Sequence, residues 1–410
     1  MSSQRKTGKM ALSGIRIIDF GMGIIEPTTS CYMADFGAEV IKVESYSRLD
    51  FMRGAEFYVG EKRDPDTNVA FNRYNQNKLG ALINLKHPKG VELAKKLVGV
   101  ADVVTESFAS GVIKRLGLGY EELRKVKPDI IMLSSSFAGQ TGPYHEFKGQ
   151  GALIAALQGL DELTGWPDRR PISPSAAFCD FYISWVWVVA IMAALEYHRR
   201  TGKGQYIDGS SLEGGLDILD TGIADYSVNG RILKRRGNRH PAAAPHGVYR
   251  CQGEDRWCAI SVFGDAKWRS FCRVIGNPAW TSGEQFSSLL GRLQNHDELD
   301  RLVESWTMEH NVEEVMLKLQ KAGVAAGVVK NAKEMYEDPQ LAYAKHFWEP
   351  KEPGMEAFTF EAPSALMSGT PARFQRRAPL LGEHNDYVFG KLLGLDSEEY
   401  VKLMEEGVIA

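Results

Sequence analysis

A chain of 410 residues is too long for one ordinary hydrophobic core, so two domains are expected. Hydrophobic residues at 44% and charged residues at 25% sit near the globular average and exclude a disordered or fibrous protein. The net charge of -3, with both signs interspersed, gives no reason to expect nucleic acid or an anionic membrane as a partner.

The start, MSSQRKTGKM, is polar and basic with no apolar run behind it, which does not fit a secretory signal. IRIIDF (Ile15–Phe20) then reads as a short β-branched strand. The following turn, GMGIIE (Gly21–Glu26), has the first two glycines of GxGxxG but Glu26 in place of the third, so a dinucleotide site is not indicated. A helical segment follows, and EVIKVE (Glu39–Glu44) is again strand-like. The rhythm recurs with a helix at Pro88–Val98, a strand at Asp102–Thr105, a helix at Tyr120–Val126 and a strand at Ile130–Ser134. Strands separated by helices imply βαβ units with right-handed crossovers, hence an α/β fold with a doubly wound parallel sheet. Ser134–Ser136 and the turn FAGQTGP fall where such a sheet presents backbone N–H groups to a ligand, though the same run is also an ordinary turn.

The most apolar stretch, Ile183 to Leu195, is read as a buried helix too short to cross a bilayer. Asp180 stands immediately before it. An Asp there is commonly a structural N-cap, but a carboxylate at the mouth of an apolar segment is also partly desolvated, as covalent catalysis by a carboxylate requires. After about Tyr226 the texture turns Arg-, Pro- and Gly-rich, then strand-rich around a turn at Gly253–Asp255. Amphipathic helices such as Asn311–Lys321 follow. The expected division is a large domain from 1–224 with 331–410, and a small α+β domain at 225–330. The tail, LLGEHNDYVFGKLLGLDSEEYVKLMEEG, reads as two helices of mixed charge. Five cysteines without CxxC spacing suit a reducing, cytoplasmic setting. The histidines are scattered, His240 and His246 lack ligand partners at metal spacing, and no metal is expected.

Several stretches together carry a resemblance. GIRIIDFG, MADFGAEVIKVE, NQNKLGALINLKHPKG, ADVVTESF, GVIKRLGLGYEEL, KPDIIMLS, GQTGP (Gly139–Pro143), Asp180, RRTGKGQYIDGSSLE and PLLGEHND resemble, in order and spacing, the CaiB/BaiF (class III) CoA-transferases. The resemblance implies a Rossmann-like large domain made from both chain ends, a smaller domain, and two protomers interlocked as a dimer. It implies coenzyme A as carrier substrate and no metal. Its catalytic residue would be Asp180, attacking a donor acyl-CoA thioester to give a mixed anhydride, then an aspartyl-CoA thioester. It places CoA contacts at Ile24, Glu44, Phe108, Lys114, Arg115, Ser136 and Gly139.

This sequence departs from the family pattern at some of these places. Ile24 stands where family members often have Gln, and SFAS (Ser107–Ser110) where they often have Asn, a basic or His residue and Pro. These changes leave open a less active or non-catalytic subunit paired with a homologous chain. A racemase of the same family needs a second base, but Gln150 stands at the place of its His, and Gln cannot take a proton. The expected acids are short dicarboxylates, with succinate as donor and an aromatic or branched dicarboxylate as acceptor. Trp166, Trp185 and Trp187 would suit an aromatic acid, although such residues are more often core.

Overall fold

The computed structural model describes residues 9–59, 63–175, 177–350 and 358–410, so most of the polar start lies outside the described residues. Two compact units emerge. One takes the chain to Asp161 with Ser173–Ile232 and Ala342–Ala410, and the other takes Glu162–Ile172 with Leu233–Leu341.

The larger unit is built on six parallel strands: β1 (Arg16–Asp19), β2 (Glu39–Glu44), β3 (Leu79–Leu82), β4 (Val103–Glu106), β5 (Ile131–Ser136) and β6 (Tyr206–Ser210). Their spatial order is β3-β2-β1-β4-β5-β6, so the winding reverses between β1 and β4. Helices α1 (Ile25–Asp35), α2 (Val69–Asn75), α3 (Pro88–Val98), α4 (Val112–Arg115), α5 (Tyr120–Val126), α6 (Gly151–Gln158), α7 (Leu160–Leu163) and α8 (Phe178–Thr201) make the crossovers. The strands read as continuous apolar runs because both faces of the sheet are covered. Ile18, Val104 and Met132 enter one core with α3 and α5, while Ile17, Val103, Ile131 and Leu133 enter the other with α8.

The edge strand β3 would expose unpaired backbone groups. PLLGEHND covers it: His384 Nδ1 accepts from Gly80 N–H at 3.2 Å, and Asn385 Oδ1 accepts from Leu82 N–H at 2.9 Å. Of the two helices expected in the tail, Ser397–Glu405 is an α-helix and Asp386–Leu392 is a π-helical turn.

Helix α8 corrects one reading of the sequence. At 24 residues it is long and apolar enough, by length and composition, to cross a membrane, because helical geometry continues beyond Ile183–Leu195 at both ends. Nor is it buried all round. Cys179, Ile183, Trp187, Ile191 and Ala194 pack into the core, and the Trp187 indole N–H donates to Ser135 Oγ at 3.0 Å. Trp185, Val189 and Met192 are exposed on the single chain, with Trp185 stacked on Tyr32 at 3.9 Å.

The smaller unit has an antiparallel sheet in the order β7 (Ala243–Arg250), β8 (Trp257–Phe263), β9 (Ala325–Val328). Its own core includes Tyr249, Ile260, Phe271, Phe286, Val303 and Leu319. Buried Arg292 lies over the Trp268 ring at 4.8 Å and pairs with Asp265 at 2.9 Å.

Candidate active site

The N-cap of α8 is Ala177, and Asp180 is the third residue of the helix, so it is not the structural cap that its sequence position first suggests. Asp180 as a residue is 8% exposed, and its carboxyl forms no ion pair among the described residues. Burial pushes it up to about 6, against a smaller opposing pull from its own backbone N–H. The next residue, Phe181, packs against Tyr74 of α2 with ring centroids 5.8 Å apart. The negative charge of Asp180 helps to raise the Tyr74 phenol, after burial and alongside Glu361.

One turn along, Ser184 fixes the start of α8 against the start of α1. Its hydroxyl lies 2.7 Å from the Asp180 carbonyl and 2.9 Å from the Ile25 carbonyl. Thr29 Oγ1 adds a contact to the Ser184 carbonyl at 3.3 Å. Ile24, the residue that opens α1, is thereby brought into the neighbourhood of Asp180 from 156 positions away.

A second group forms where β4 and β5 end, at the reversal and its neighbour. Gln140 joins the two loops: Gly111 N–H donates to its Oε1 at 2.9 Å, and Ser110 Oγ donates to its carbonyl at 3.3 Å. Its own N–H donates to Asp208 Oδ1 at 2.8 Å. Gly111 and Gly139 adopt φ of 73° and 82°, conformations that favour glycine. Lys114 and Arg115 are exposed on α4 beside this junction. The Ser134 hydroxyl is buried beside the Glu106 carboxyl, and the Ser136 hydroxyl is buried with no partner among the described residues. Burial raises Glu106 to about 7, against the Ser134 hydroxyl and the Phe108 N–H that donates to its Oε2 at 2.7 Å.

Beside the reversal lies a small pocket of about 70 Å³ between the ends of β1, β2, β3 and β4. Glu44 and Phe108 both line it, 64 positions apart in the chain. The Glu44 carboxylate is already engaged by buried Arg53 at 2.8 Å, so it shapes the wall and holds no free charge. Arg48 lies over the Phe108 ring at 5.0 Å, and Lys86 is also in the lining. Neither cation has an ion-pair partner among the described residues, which leaves the pocket mouth positive. Sequence reasoning missed Arg48, Lys86, Gln140 and Ser184. A basic residue just past a strand end was the available signal for the first two.

The model of CoA-transferase family III matches residues 12–385. The chain belongs to CoA-transferase family III. It is 32% identical over 409 residues, covering 100% of both chains, to succinyl-CoA–D-citramalate CoA-transferase of Chloroflexus aurantiacus. It is 30% identical over 402 residues, 98% of this chain and 93% of the other, to the alpha subunit of succinyl-CoA–L-malate CoA-transferase of Chloroflexus aurantiacus. A solved CaiB/BaiF family protein from Brucella suis matches with a TM-score of 0.87 at 28% identity, over 94% of this chain and 100% of that one.

As a family III CoA-transferase, the chain needs sites for a thioester, for CoA and for an acid. Unit 1 offers the desolvated Asp180 carboxylate at the N-terminus of α8, a glycine-rich junction after β4 and β5, and a positive pocket. Trp187 is core and Trp185 stacks on Tyr32. Gln150 is exposed just ahead of α6, with no side-chain capping bond. Among the described residues no cluster of His, Cys, Asp and Glu is arranged to hold a metal ion.

Proposed function

We propose that the enzyme moves CoA from succinyl-CoA, or a similar dicarboxylic thioester, to a second short dicarboxylic acid, with Asp180 as the covalent carrier. The observation that supports this most directly is the carboxylate itself: buried, unpaired by any cation and held at a helix start. A carboxylate paired with Arg or Lys is a poor nucleophile, and one in bulk water is strongly solvated. The chemistry then balances without a redox agent. An Asp180 oxygen attacks the thioester carbon, the C–S bond breaks, and CoA thiolate leaves. The thiolate next attacks the Asp180 carbonyl of the anhydride, releasing the donor acid as carboxylate. The acceptor carboxylate attacks the aspartyl-CoA thioester and displaces thiolate, which then takes the acceptor acyl group and frees Asp180.

In this reading Phe108, Lys114, Arg115, Ser136 and Gly139 hold CoA around the junction that Gln140 ties together. Glu44 contributes a pocket wall, and Ile24 the start of α1. The relatives named for D-citramalate and L-malate both take short dicarboxylic acids in their printed names, which supports the substrate class.

The carboxyl at about 6 gives the pH test. Asp180 attacks only when ionised, so kcat/KM is expected to rise about tenfold per pH unit below pH 6 and to level off above it. A profile flat from pH 5 to 8, measured with a donor that does not titrate there, would contradict Asp180 as the nucleophile.

The assembly proposed is an interlocked dimer of this chain, which would cover the exposed Trp185, Val189 and Met192 of α8. Sedimentation is expected to give twice the 45.6 kDa chain mass. A stable, active monomer would remove this proposal, and activity gained only with a homologous chain would place the protein among heteromeric members instead.

A further inference from the structure

Glu26, the residue that replaces the third glycine after β1, is the second residue of α1 and is fully buried. Among the described residues no cation pairs with its carboxyl. The polar side chains that reach it are the Asp19 carboxylate and the Thr105 hydroxyl, and the Thr105 contact favours the ionised form only weakly against burial and the Asp19 charge. Gly21 passes so close that any side chain there would collide with Glu26 Oε2.

The buried charges around it are already matched. Lys78 pairs with Asp19 at 2.8 Å, Lys42 with Asp50 at 2.9 Å, and Arg53 with Glu44 at 2.8 Å. No cation remains for Glu26. A buried carboxylate beside a second carboxylate and without a counter-charge of its own takes up a proton, and the proton makes it a donor. Asp19 is the acceptor beside it, and Asp19 also accepts from Gly21 N–H at 2.7 Å and Ser30 Oγ at 2.8 Å. One carboxylate thus ties together the turn Gly21–Glu26 and the first turns of α1.

We infer that Glu26 is a positioning residue acting as a neutral acid: its O–H bonds Asp19 and locks the turn between β1 and α1 against the start of α8. The path to the chemistry is short, running from Glu26 to the adjacent Ile25 carbonyl, to Ser184 Oγ, and to the Asp180 carbonyl. This rests on the reading of Asp180 as nucleophile. The direction of titration agrees, since burial and then the charge on Asp19 hold Glu26 well above the usual carboxylate range. The charged groups facing it are Asp19 of β1, Lys78 ahead of β3 and, through Asp19, Lys42 of β2.

Glu26→Gln keeps the shape and a donor toward Asp19 but has no proton to lose. A folded carboxyl that titrates above its unfolded value lends stability that is complete below about pH 4.3 and is lost as pH rises toward the folded value. Urea unfolding of the full chain and the variant is therefore compared from about pH 5 to about pH 8. The ratio of the wild-type to the variant unfolding constant is expected to rise about tenfold per pH unit. Transfer kinetics supply the second arm: the two proteins should share kcat at neutral pH, and only the wild type should lose kcat, at constant KM, on the alkaline side. A pH-independent unfolding ratio overturns the acid pair. A rising ratio with identical alkaline kcat profiles overturns the positioning role. If Glu26→Gln does not fold, Glu26→Met, also without a titrating group, takes its place in the unfolding arm. In the kinetic arm it should lower kcat already at neutral pH because it cannot donate to Asp19; a wild-type kcat in Glu26→Met would overturn the positioning role. The unfolding arm does not involve Asp180, so failure of the nucleophile reading would leave it intact and be recognised separately.

Discussion

Asp180→Ala is expected to lower kcat for CoA transfer by at least about 10³-fold, because the covalent route has no other carboxylate in its place. The companion Asp180→Asn separates catalysis from structure. The folded carboxyl at about 6 lies above its ordinary value near 4, so the stability it lends is complete below about pH 4 and falls as pH rises to about 6. Above that the ionised carboxylate weighs against folding by on the order of 3 kcal/mol, from roughly two pH units at about 1.4 kcal/mol each. Favourable interaction with the helix N-terminus, about 0.3–1 kcal/mol, acts the other way and is outweighed. At pH 8 the Asn variant should therefore be inactive yet more stable than the wild type in urea denaturation. A structural Asp would give the reverse, with stability lost and transfer retained.

Lys78→Met should produce the largest loss of stability. Lys78 and Asp19 are both fully buried and paired at 2.8 Å, and the same ammonium donates to the Pro27 carbonyl and Asn75 Oδ1 at 2.9 Å. Burial alone would raise Asp19, but the Lys78 and Lys42 charges hold it below the usual carboxylate range. Without Lys78 a buried carboxylate is left next to the Glu26 carboxyl. The expected cost is about 3–5 kcal/mol, a large share of the stability of an ordinary domain. Adding Asp19→Asn should recover much of it, because removing both charges leaves no unpaired ion. Urea midpoints for the single and double variants test this, and equal destabilisation in both would show that the ion pair is not the cause.

The sequence by itself determined the elements whose signal is local. Pro88–Val98, with proline at its start and one apolar stripe, and Tyr120–Val126 have the bounds that periodicity assigns. So does Glu39–Glu44, and the alternation of strands and helices implied the parallel sheet. Asp180 was legible as a carboxylate against an apolar helix, although its place inside the helix was not. What tertiary structure decided were relations across long separations. Asp19 meets Lys78 over 59 positions, Gln140 joins the loops after β4 and β5, Arg48 lies over Phe108, and Ser184 fastens α8 to α1. The excursion of Glu162–Ile172 into the smaller unit also has no local sign. The reason is physical. A short-range pattern reports backbone preference and which face is apolar, whereas a buried Lys, Glu or Asp reveals its state only when the groups that desolvate or neutralise it are brought beside it by the fold.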